Sequence, residues 1–337
     1  MKKIVFFLIL CLNFSCNNLE KKQSKVEIPT GMIFIQGGEF LMGADNKQAM
    51  RDEYPQHKVL INSFLMDETE VTNADFKKFI ESTGYLTTAE RKIDWDDLKK
   101  YLPPNTPKPQ DSLLAPSSLV FFESQTKNLN DFSQWWKLQK EVNWKHPYGK
   151  ESTIDTILDH PVIHVSWDDA VAYCNWKGRR LPTEAEYEYA MRSGNSNTIY
   201  TWGNEPVGTG TQKANIWQGN FPSNNISSDE FYYTSPVKSF EKNDFGLYDI
   251  SGNVWEWCSD LYHSDYYSTI SNMLANNPKG PIKSYDPNDP FSSKRVMRGG
   301  SFLCNDSYCS GFRNSMRMKS TPDSSSQHVG FRTVLDI

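Results

Sequence analysis

Apolar and polar positions along this chain alternate in short bursts rather than long periodic runs, a pattern that predicts brief strands, few helices and much irregular chain. Met32-Ile33-Phe34-Ile35 and Glu39-Phe40-Leu41-Met42 read as two strands separated by the Gly37-Gly38 turn, and Lys58 to Met66 alternates as another. Thr72, with Asp75 in the box position, opens a helix whose inward stripe is Phe76, Phe79 and Ile80 and which Gly84 ends. His160-Pro161-Val162-Ile163-His164-Val165 reads as a strand feeding a second helix, capped by Ser166 and Asp169, carrying Ala170, Val171 and Cys174 inward and closed by Gly178. A third helix starts at Thr183, with Glu186 three residues on, and stops near Gly194. Glu184, Glu186 and Glu188 along it read as a capping box and solvated faces. Residues 86–159 break the pattern with Pro103-Pro104, Pro107, Pro109 and polar runs, the mark of a functional or disordered insertion. The isolated His146 and His160 read as hydrogen-bonded structure rather than ligands.

Composition refines this picture. The 337 residues suit one large α+β domain, and 13% aromatics with nineteen Gly and eighteen Pro imply irregular chain packed around large rings. A net charge of −5 leaves no basic footprint, so nucleic acid is not an expected partner. Met1-Lys2-Lys3, the apolar run Ile4 to Leu12 and Ser15-Cys16 read as an export signal over residues 1–15, too short to span a membrane. Asn13-Phe14-Ser15-Cys16 resembles a loose lipobox, which would make Cys16 a lipidated first residue. Residues 16–29 would then tether the domain of residues 30–337 to a membrane in the periplasm or cell envelope. Asn13 departs from the usual aliphatic residue and keeps simple secretion open.

The candidate chemistry lies in Cys304-Asn305-Asp306-Ser307-Tyr308-Cys309. Residues five apart share no face of a strand or helix, so a turn must bring the sulfurs together, and Asn-Asp-Ser supplies the residues that bend a chain. Three readings stand: a short-loop disulfide, two unrelated buried thiols, or a soft-metal site for Cu(I), which two thiolates suit better than they suit zinc. Elsewhere Cys174 and Cys258 could form one bridge.

The run Arg298-Gly299-Gly300-Ser301, the two cysteines, Arg313, Arg317, Thr321-Pro322-Asp323-Ser324-Ser325 and Val329-Gly330-Phe331-Arg332 resembles the C-terminal part of the formylglycine-generating enzymes, or sulfatase-modifying factors. Gly31 to Gly43, Glu70-Val71-Thr72-Asn73 and Arg180-Leu181-Pro182-Thr183-Glu184-Ala185-Glu186-Tyr187 resemble further signatures of that family. The resemblance implies a single loop-rich domain related to C-type-lectin-like folds. It implies that Cys304 and Cys309 hold Cu(I), that Ser301 sits beside the reacting sulfur, and that Arg317 supports the site. It implies O2 as co-substrate and, as partner, an unfolded sulfatase segment with a Cys-x-Pro-x-Arg-like motif. Trp135, Trp136 and His328 are implied to line the substrate groove. Calcium is implied at Asn215, Ile216, Asp229 and Phe231, and again at Asp249, Gly252, Val254 and Glu256. Disulfide partners of some relatives fall on Met191, Asn314 and Thr333, which removes those bridges here. A non-catalytic envelope lipoprotein of the same fold is the competing expectation.

Overall fold

The computed structural model describes residues 27–337; the export signal, Cys16 and most of the tether lie outside the described residues. Strands are short and fall into small sheets. Met32–Ile35, Phe64–Asp67 and Val334–Asp336 form an antiparallel sheet that joins the two ends of the domain. Gly38–Met42, His57–Ile61 and Ala275–Asn276 form a second, and Met318–Ser320, Arg295–Arg298, Trp255–Leu261 and Val329–Gly330 a third. Ser117–Phe121 pairs with Trp136–Lys140 inside the insertion. This is the expected loop-rich α+β domain.

The helices follow their caps. Thr72 Oγ1 accepts from the Asp75 N–H at 3.2 Å at the start of Asn73–Thr83, and Gly84 ends it at φ 65°. Reciprocal capping boxes, Ser166 with Asp169 and Thr183 with Glu186, open Trp167–Lys177 and Glu184–Met191. Two strand expectations fail for local reasons. Lys58 to Met66 breaks at Asn62-Ser63 into strands of different sheets. Gly37 crosses there so closely that a Cβ would lie 2.6 Å from the Ser63 nitrogen. Residues 160–165 form one bridge, Pro161 to Thr72, because His164 turns the chain at φ 60°.

The Glu184–Met191 helix is buried on every side, so Glu184 and Glu188 do not face solvent as expected. Each carboxylate is instead forked by arginine. Arg317 donates to Glu184 at 2.7 and 2.9 Å, and Arg298 donates to Glu184 at 3.2 Å and to Glu188 at 2.5 Å. Arg192 adds a bond to Glu188 at 2.9 Å. Burial would raise the pKa of Glu184, but Arg317 and Arg298 outweigh it and hold it below the ordinary carboxylate value. Arg313 with Glu53 and Arg332 with Glu256 repeat the arrangement elsewhere in the interior. A buried charge is tolerable only when paired and hydrogen-bonded, and these pairs meet that condition.

Cys174 and Cys258 are free, buried thiols in different core clusters, so no bridge joins them.

Arg298→Ala leaves Glu188 and Glu184 short of a buried cation. It is expected to cost about 3–5 kcal/mol of unfolding free energy in a urea titration. A loss below about 1 kcal/mol, the scale of an exposed pair, would show that this pairing does not hold the interior together.

Candidate active site

The strand Arg295–Arg298 delivers the chain into Gly299 and Gly300, at φ 96° and 83°, where the cysteine loop begins. A Cβ on Gly300 would lie 2.7 Å from the Gly311 carbonyl carbon and the Phe312 nitrogen, so the two arms of the loop pass backbone to backbone. Arg298 closes the base by donating to the carbonyls of Ser315 at 3.1 Å and Asn314 at 2.5 Å. At the tip, the Asn305 carbonyl accepts the N–H groups of Tyr308, Cys309 and Ser310 at 3.0–3.1 Å. The expected turn is therefore formed.

It brings the two sulfurs into hydrogen-bonding contact, both free. Cys304 is 1% exposed and Cys309 half-buried, so the pair runs from the interior toward the surface. Burial, together with the hydrogen bond to and charge of Cys309, pushes the Cys304 thiol up. Burial also opposes the Cys309 thiolate, but the Cys304 thiol and the backbone of Gly311 and Asn305 outweigh it and hold Cys309 below the ordinary thiol value. The two sulfurs therefore stand in unlike surroundings, with thiolate character favoured at Cys309 over Cys304. Ser301 lies beside them, its N–H 3.3 Å and its Oγ 3.8 Å from Cys304 Sγ. Gly311 has no room for a side chain, since a Cβ would stand 2.5 Å from Cys304 Sγ and 2.5 Å from Trp255.

Two convergent thiolates are soft donors, and a glycine cradle leaves space around them, so the residues suit Cu(I). Among the described residues, no group of three His, Cys, Asp or Glu side chains forms a metal-binding array. A metal at this pair would therefore be held by two protein sulfurs.

The expected groove residues divide. Trp135 is fully buried and lines no surface; it packs edge-on against Tyr308, at 5.6 Å, inside a cluster with Phe121, Trp217 and Phe221. Strand residues alternate in direction, and at this junction Trp136 takes the outward side, its ring 4.6 Å from that of half-buried His328. Arg317 is bound to Glu184 and to the carbonyls of Asp52 and His263, which makes it part of the interior bracing. His146 and His160 bond to the Ser152 carbonyl and the Thr234 hydroxyl.

The oxygen-rich stretches sit side by side, with Gly252 so close to Asn215 that a Cβ would lie 2.5 Å from its carbonyl oxygen. In the first, Asn215 Oδ1 is buried without a partner. The Gln218 side-chain amide is wedged between the Ile216 carbonyl and Asp229 Oδ2, while its own Oε1 is unpaired. Phe231 donates its N–H to Asp229 Oδ1 at 3.1 Å. In the second, Asp249 Oδ1 and Glu70 Oε2 are buried without a hydrogen bond. Burial lifts Asp249 to about 6, and burial with the Asp249 charge lifts Glu70 well above the carboxylate range. Orphaned oxygens on two neighbouring carboxyl groups fit a hard cation, although the Arg332 guanidinium already stands 3.9 Å from Glu70 Oε2. Glu256 differs, since Arg332 and Tyr187 already occupy its oxygens.

Sequence reasoning missed three residues here. Glu70 stands in a signature but carries no local mark of burial. Gln218 lies beside expected ligands, and Asn253 links the stretches by donating to Glu70 Oε1 and accepting from Asn215 Nδ2.

The chain belongs to the family of the sulfatase-modifying factor enzyme 1-like domain, whose model matches residues 17–337. It is 43% identical over 320 residues to the formylglycine-generating enzyme of Bos taurus, covering 91% of this chain and 75% of that one. It is 40% identical to the formylglycine-generating enzyme of Thermomonospora curvata, covering 94% and 96%. A Mus musculus protein named inactive C-alpha-formylglycine-generating enzyme 2 is 35% identical, over 89% and 84%. Among solved structures, PvdO from Pseudomonas aeruginosa shares the fold at a TM-score of 0.59 and 20% identity, over 91% and 94%.

In metal-free protein, iodoacetamide is expected to alkylate Cys309 ahead of Cys304, with a pH midpoint below that of a simple thiol, because the thiolate is the nucleophile. Peptide mapping by mass spectrometry reads both sites, and equal labelling would contradict the division between the two sulfurs.

Proposed function

We propose that this protein is a formylglycine-generating oxidase, converting a cysteine of an unfolded sulfatase segment to Cα-formylglycine. The observation that carries the reading is the contact of two reduced sulfurs, one half-exposed, on a loop braced from both arms. Relatives at 40–43% identity bear the name of that activity. A relative named inactive is also similar, so membership alone does not supply catalysis and the sulfur pair must.

Cys304 and Cys309 would hold Cu(I), which would supply O2 activation when bound. Ser301 orients the Cys304 side of the pair, and Trp136 with His328 offers a flat surface for an extended peptide. The overall change is balanced as follows. The substrate thiomethyl group becomes an aldehyde, sulfur leaves as hydrogen sulfide, and carbon gives up two electrons. O2 takes four, so two molecules of an external thiol supply the remaining two and end as a disulfide, with one water formed. Calcium would be held at Asn215, Ile216, Asp229 and Phe231 and at Asp249, Gly252, Val254 and Glu256, with Glu70 joining the second set. The substrate motif resembles Cys-x-Pro-x-Arg. The location is the periplasm or envelope, through the export signal and a lipid on Cys16.

Purified protein given Cu(I), O2, dithiothreitol and such a peptide is expected to form the aldehyde, read by mass spectrometry. Cys304→Ser and Cys309→Ser are each expected to abolish it, and turnover surviving either change refutes the assignment. Calcium withdrawal by EGTA is expected to lower the thermal midpoint, and Asp229→Asn to blunt that response; a midpoint indifferent to EGTA argues against the cation sites.

A further inference from the structure

Cys304 is fixed from its own side of the loop, its N–H bonded to the Ser301 carbonyl at 2.8 Å. Cys309 meets the Gly311 backbone at its sulfur, and its own N–H is held by Asn305. The Asn305 carbonyl takes three N–H groups, including that of Cys309 at 3.1 Å. Its side chain works outward as well as inward. Oδ1 accepts from the N–H of Ser307 at 2.9 Å and from the Ser307 hydroxyl, which shapes the local turn. Nδ2 crosses to another segment, donating to the carbonyls of Trp217 and Gly219, both at 3.2 Å. Trp217 returns the link, since its N–H donates to the Cys304 carbonyl at 3.0 Å. The bonds of Asp306 and Ser307, by contrast, stay within the loop. Trp217 itself lies between Ile216 and Gln218, two members of the first oxygen-rich cluster.

We infer that Asn305 is a positioning residue that sets the separation of the two sulfurs by pinning the cysteine loop to the Trp217–Gly219 main chain. Removing the side chain frees the tip carbonyl to drift, and Cys309 drifts with it while Cys304 stays bonded to Ser301. The inference rests on the reading that the pair holds Cu(I), and it assigns to that centre a residue that touches neither metal nor substrate.

The test separates the crossing from the turn. Asn305→Asp keeps an oxygen for Ser307 but cannot donate to Trp217 and Gly219, whereas Asn305→Ala loses both functions. Both variants are expected to bind Cu(I) about tenfold or more weaker in competition with a colorimetric chelator, the scale of outer-shell substitutions at metal sites. Their kcat is expected to fall in step, with KM for the peptide held within about twofold, because the substrate surface is untouched. Ser307→Ala removes one bond to Asn305 and spares the crossing, so its Cu(I) affinity is expected to match the unmodified protein. Folding is followed by circular dichroism, and Asn305→Asp decides the matter if Asn305→Ala does not fold. Unmodified Cu(I) affinity and kcat in Asn305→Asp would overturn this inference alone. Unmodified protein that takes up no Cu(I) would overturn the functional reading and this inference with it.

Discussion

Everything in this domain depends on arginine guanidinium groups buried against glutamates far away in sequence. Small sheets and three main helices cannot by themselves hold so much irregular chain, because few of its backbone groups are fixed by regular ladders. Arg298 shows how the problem is met. Its planar fork reaches Glu184 and Glu188 on one helix and the carbonyls of Asn314 and Ser315 on a loop, fastening four points with one cation. The two carbonyls lie just beyond the far arm of the cysteine loop and Arg298 just before the near arm. The interior ion network and the closure of the reactive loop are therefore one construction.

The same economy governs the oxygen-rich side. Asn253 takes a left-handed conformation, φ 56°, and from there meets Asn215 through main chain and side chain and Glu70 through Nδ2. Asn tolerates that conformation better than most residues, because its short side chain bonds locally. Two stretches remote in sequence become a single anionic wall, one end of which continues through Trp217 to the cysteine loop. Unpaired buried oxygens are costly, and here Arg332, 3.9 Å from Glu70 Oε2, brings a positive charge near them.

How much of this the sequence disclosed follows from the range of each interaction. The cap at Thr72 and the capping boxes at Ser166 and Thr183 were legible because cap and partner lie three residues apart. The cysteine turn was legible for the same reason, since Asn305, Asp306 and Ser307 act on their own neighbours. Glu184 and Glu188 were not, because charged residues are almost never fully buried unless paired, and of their arginines only Arg192 is local to Glu188, while Arg298 and Arg317 lie more than 100 residues away. Trp135 and Trp136 are adjacent and chemically alike, so nothing local says which turns inward. Glu70 shares a signature with Thr72, yet only the folded chain sets it beside Asp249.

Charge decides why the sulfur pair can exist where it does. Burial with the neighbouring Cys309 pushes the Cys304 thiol up, while the Cys304 contact and nearby backbone outweigh burial and hold Cys309 below the ordinary thiol value. Donors that favour negative sulfur stand on both sides: the Ser301 N–H points at Cys304 Sγ, and the Gly311 and Asn305 backbone supports Cys309. When the pair carries a single proton, a monovalent cation that replaced it would bind two thiolates and leave the same net charge. The donors already in place would then serve both states, and the exchange would not have to meet a fresh desolvation cost of the kind that makes buried ions expensive. Under the proposed function, such donors would favour a soft monovalent ion alongside the two sulfur ligands.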